Sequence, residues 1–83
     1  MTDNIIKAME KCISNAVYYL KSDYADVIKL REIEYRMGIW YAYGKVLEEL
    51  DKDKYWDMQQ KYLNDVKECE GRCRKIVRDI KEK

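Results

Sequence analysis

The sequence predicts an all-α fold: a three-helix antiparallel bundle with coiled-coil-like packing, built from a short first helix and a long helical hairpin. Three observations carry that expectation. Proline is absent and glycine occurs three times, so the chain has few residues that force a break. No stretch alternates apolar and polar residues with the period of two that a half-buried strand requires. Three stretches instead repeat apolar residues every three or four positions, the spacing of one helix face. Eighty-three residues make a single domain, here residues 1–83.

The first helix is expected at about residues 3–20. Its apolar positions are Ile5/Ile6, Met9, Cys12/Ile13, Ala16/Val17 and Leu20, and Thr2 or Asp3 offers an N-cap. A break follows, where Ser22 or Asp23 caps the next helix and Asp26 places negative charge in its first turn. Val17, Leu20, Tyr24 and Ile28 also fit one continuous helix, which makes this boundary the least defined. The second helix covers about residues 24–50, with Leu30, Ile33, Met37, Trp40, Gly44 and Leu47 at strict 3–4 spacing. Asp51 or Asp53 then caps a third helix over about residues 54–81. Its seam is Tyr55, Gln59, Tyr62, Val66, Cys69, Cys73, Ile76 and Ile80, with Trp56, Leu63 and Val77 on the flank.

The second helix is apolar on two faces. Nearly opposite its seam lie Ile28, Tyr35, Ile39, Ala42 and Val46, with Tyr43 and Leu50 nearer the flank. On length alone the first helix falls about 13 Å short of the turn at residues 51–54 at 1.5 Å per residue. The expected uncovered patch is Ile39, Tyr43, Val46, Leu50, Trp56 and Leu63, rimmed by Glu48, Glu49, Asp51 and Asp53. Eight Tyr and two Trp with no Phe favour an interface, since these side chains join apolar area to a polar handle.

Chemistry has little to work with. There is no His, and the hydroxyl nucleophiles are limited to Thr2, Ser14 and Ser22, so no Ser–His or Cys–His pair exists. The three glycines stand alone within helices and form no phosphate loop. The expectation is a protein that is not an enzyme and carries no cofactor. Cys69 and Cys73 share a helix face that Cys12 could approach, but a fourth ligand is lacking, Glu70 points away from the seam, and free Cys suits a small core position. A thiol–metal protein is therefore the lesser alternative.

Residues 72–83 hold six basic residues against two acidic ones, and Lys67, Arg74, Arg78 and Lys81 line one face. Such a stripe could grip phosphates in a nucleic-acid-associated regulator. Basic residues also complement the C-terminal end of a helix, and no aromatic side chain interleaves with these to stack bases. Seventeen Lys and Arg against sixteen Asp and Glu leave a net charge of +1, which demands neither nucleic acid nor an anionic membrane.

Met1, Thr2, Asp3 and Asn4 lack the features of a signal peptide, and the longest uncharged run, residues 12–20, is too short to span a bilayer. With an odd cysteine count, this gives the cytoplasm as the expected location. In size and composition the chain resembles the small acidic-and-aromatic helical proteins that phages and mobile elements encode. That likeness implies a protein that binds and blocks or redirects a larger host protein, such as an inhibitor of a defence system. The expected partner is a protein, either a second copy in a homodimer or a heterologous target.

Overall fold

In the computed structural model, which describes residues 1–82, the periodic stretches form four α-helices. They are α1 (Thr2–Lys21), α2 (Asp26–Leu50), α3 (Lys52–Lys61) and α4 (Leu63–Glu82). The chain is all-helical among the described residues, but the expected three helices become four. The single long third helix gives way to α3 and α4, interrupted at Tyr62, whose backbone sits at φ −108° and ψ 14°. The interruption is one residue deep: Tyr62 N–H still donates to Met58 O at 3.1 Å and Val66 N–H to Tyr62 O at 3.0 Å. The 3–4 seam therefore passes through it in register. At the interruption the Tyr62 side chain engages two other helices. Its ring stands edge-on to Trp40, centroids 5.7 Å apart, and its hydroxyl donates to Glu10 Oε2 at 2.8 Å.

The break between α1 and α2 is real, though the hydroxyl there acts differently from the expectation. Ser22 closes α1 instead of opening α2, its Oγ donating to Tyr19 O at 2.6 Å. The N-cap position of α2 is Ala25, with no side-chain cap, and α1 likewise begins after Met1 without one, so neither Thr2 nor Asp3 caps it. Asp51 does cap the following helix, accepting from Lys54 N–H at 3.2 Å.

α1 runs back along α2. Lys54 Nζ lies 3.4 Å from Thr2 Oγ1 and 3.8 Å from Asp3 Oδ1, which sets the start of α1 beside the α2–α3 turn. The expected shortfall of the first helix is thus overturned: twenty residues anchored by a tight turn at one end reach the other end. Three helices meet at Gly44, where a Cβ would touch Tyr55 of α3 at 3.5 Å and Met9 of α1 at 3.6 Å.

The core follows the seams. Met9, Ile13 and Ala16 of α1 pack with Ile33, Met37, Trp40 and Leu47 of α2, and with Met58, Cys69 and Cys73 of α3 and α4. Ile80, placed in the seam by spacing, is exposed near the end of α4, and Met58 is buried although the seam reading passed over it. The result is a rod about 44 Å long and 18–19 Å across. No described helix is long and apolar enough to cross a membrane.

Trp40 is fully enclosed at the centre of α2. Trp40→Ala should cost about 3–5 kcal/mol, a large share of the roughly 5–15 kcal/mol that holds a small domain together. Urea denaturation followed by circular dichroism should show the midpoint collapse.

Candidate protein interface

Which side of α2 is covered follows from its contacts. Ile33, Met37, Trp40, Gly44 and Leu47 form one buried stripe, and both α1 and α3–α4 lie on that side. Arg36 fixes the α1 flank, its guanidinium 5.0 Å from the Tyr19 ring centroid and paired with Glu32. Tyr41 fixes the opposite flank, its hydroxyl donating to Glu70 of α4. That bond also corrects the place of Glu70, which faces α2 instead of pointing away.

The reverse of α2 is open from end to end. At 100° per residue, Ile28, Tyr35, Ile39, Ala42 and Val46 form a stripe opposite the core. Tyr35 is 63% exposed and Val46 45%, while Ile28 and Ile39 are half-buried. Tyr43 and Leu50 are exposed as well, turned toward the α1 flank that Arg36 marks. The opening comes from both covering helices sharing one side, and helix length plays no part.

Trp56 and Leu63 are also exposed but belong to a different surface. On α3, Lys54 and Lys61 point to α1, where they meet Asp3 and Glu10. Trp56 and Leu63 therefore sit on the other flank, the one beside α2 and Tyr41. Lys67, Arg74, Arg78 and Lys81 continue that same line along α4, all exposed. The six residues expected to share one patch are split between two surfaces: Ile39, Tyr43, Val46 and Leu50 on the back of α2, and Trp56 and Leu63 at the head of the basic line.

The basic line borders an open groove with Val77 and Cys73 among its lining, and Glu34 and Glu82 lie in it beside Arg74, Arg78 and Lys81. Its charge is therefore mixed. Lys83, the last residue of the basic segment, lies outside the described residues. Nothing in the spacing of residues 56–81 flags the neighbouring Tyr41–Glu70 pair, because it joins positions far apart in the chain. A second hollow at the α1–α2 turn is lined by Val17, Tyr18, Lys21 and Tyr24.

Of the three thiols, Cys73 borders this groove and Cys69 is fully buried. Among the described residues no group of three or more Cys, Asp or Glu gathers closely enough to hold a metal ion. Burial pushes the Cys69 thiol up to about 11, with neighbouring Cys73 and Asp65 adding to it. Burial likewise raises Tyr41, helped by the Glu70 carboxylate, and Tyr62, helped by Glu10. Each of these acids keeps its proton to higher pH in the folded chain than in the unfolded one. The folded state thus binds more protons at alkaline pH, and stability falls as pH rises. For Cys69 the window opens near its ordinary 9.0 and closes near 11. Thermal unfolding should be flat across neutral pH and drop through that window, less steeply in Cys69→Ala.

No family model, no curated protein and no solved structure matches the chain.

Proposed function

We propose that the chain is a non-enzymatic protein-interaction module, a small cytoplasmic regulatory or inhibitory protein whose uncovered α2 face packs against a partner protein. The observation that carries this reading is the apolar stripe of Tyr35, Ile39, Ala42 and Val46 along the back of α2, outside a core that is complete without it. An exposed apolar surface costs solubility, and contiguous ones on small domains mark interaction sites. Charged residues border it, with Arg31 and Glu32 at one end and Glu49 at the other, the polar rim that interfaces carry. Tyr35 and Tyr43 are the side-chain type that dominates such contacts.

The basic line Lys67, Arg74, Arg78 and Lys81 supports nucleic acid as a second reading, weakened by the carboxylates of Glu34 and Glu82 in the adjoining groove. That reading requires affinity to fall steeply with salt and to vanish in the Arg74→Glu, Arg78→Glu double variant.

Affinity capture from the native host, compared between wild type and Val46→Asp, tests the leading reading. Because Val46 lies outside the core, helicity should persist, while a partner held through the stripe loses at least about tenfold in affinity, as expected for a charge placed at an interface centre. Identical protein sets from both baits would overturn it.

A further inference from the structure

The back of α2 is complementary to itself when reversed. Its exposed face carries a second 3–4 register, Ile28, Glu32, Tyr35, Ile39, Ala42, Val46 and Glu49, independent of the core seam on the other side. The two halves of this register differ in bulk. Tyr35 and Ile39 make the first half thick, whereas Ala42 and Val46 make the second half thin. Gly38 borders the middle, where an added Cβ would meet nothing within 4 Å. A glycine inside an exposed helix weakens it, and no contact within the chain requires one at this position.

We infer that two copies of this chain pair through the backs of their α2 helices, antiparallel about a two-fold axis between Ile39 and Ala42. This rests on the reading of that face as an interface and commits it to a second copy. Reversal sets Tyr35 of one copy on Val46 of the other and Ile39 on Ala42, so thick meets thin twice over; a parallel pair would stack Tyr35 on Tyr35. Gly38 and Ala42 let the two backbones approach at the centre.

Charge agrees with the reversal. Glu49 stands at the end of the stripe near the α2–α3 turn and Arg31 at its other end, both exposed. In the antiparallel pair Glu49 comes level with Glu32, whose carboxylate Arg31 and Arg36 already bind, and with the exposed guanidinium of Arg31 on the same edge of the stripe. The two-fold repeats this contact at both ends, and isologous pairing of this kind is the commonest form of oligomer. The exposed area is of the right order. The exposed parts of Tyr35, Tyr43, Val46 and Leu50 amount to on the order of 400 Å², about half the roughly 800 Å² per partner of a stable interface and close to its usual apolar share.

Sedimentation equilibrium of the full chain into the high micromolar range tests the pairing, with Gly38→Leu beside wild type. Wild type should approach twice the 10.1 kDa chain mass. Gly38→Leu should raise the dissociation constant more than about tenfold while its thermal unfolding midpoint, read on the monomer at low concentration, holds or rises, since the added side chain enters open space. Mixed Tyr35→Cys and Val46→Cys chains should form a disulfide-linked heterodimer in preference to either homodimer. A wild type that stays at 10.1 kDa overturns the pairing while leaving the stripe free for another protein; that broader reading stands or falls on the Val46→Asp capture. A dimer that persists unchanged in Gly38→Leu, or that links Tyr35→Cys to itself, overturns the antiparallel arrangement.

Discussion

At the middle of α2 the indole of Trp40 is closed off from solvent, with Tyr62 edge-on against it and α1 residues such as Met9 and Ile13 in the same cluster. That enclosure requires α1 and α3–α4 to lie on one side of α2. Two helices about 10 Å wide cover only part of the circumference of a third, and the described residues supply no further long helix for the rest. The core is therefore finished while half of α2 still faces water. Enclosure has its own cost, because Trp40 Nε1–H finds no acceptor among the described residues. An orphaned donor costs about 1–3 kcal/mol, which the apolar burial around the ring must offset.

Much of the core was legible because 3–4 spacing records burial directly. Every seam residue assigned to α2 from Ile33 to Leu47 is buried, and Asp51 caps as a carboxylate before a helix should. Features set by contacts distant in sequence were not legible. The interruption at Tyr62 has no glycine or proline to announce it and coincides with contacts to Glu10 and Trp40. Ser22 signals an end as readily as a beginning, and only the carbonyl of Tyr19 decides which. Met58 sits beside the polar Gln59, and the seam reading took Gln59 as the inward position. The length comparison failed because it assigned no anchor to the start of α1, whereas Lys54 holds it at the turn.

The candidate surfaces were legible as residues but not as a grouping. Trp56 follows Leu50 closely in sequence, which made one patch attractive. Antiparallel neighbours turn such residues to different sides, and the ion pairs of Lys54 and Lys61 with α1 decide which flank of α3 Trp56 occupies. The exposed residues on the back of α2 can change without opening the core, so folding and association are separable there. The same separation fails for Tyr62, which serves the core with its ring and α1 with its hydroxyl.

α3 is the least secured part of the rod. Of its ten residues only Met58 is buried, and it is tied down by the Asp51 cap and the exposed contacts of Lys54. The interruption at Tyr62 separates it from α4, which holds Cys69, Cys73 and Ile76 in the core. A segment with so little buried area opens at low free energy while the rest stays folded. Amide hydrogens of α3 should accordingly exchange with solvent ahead of those of α4, and each such opening lifts Tyr55 away from Gly44, a transient mouth into an otherwise sealed interior.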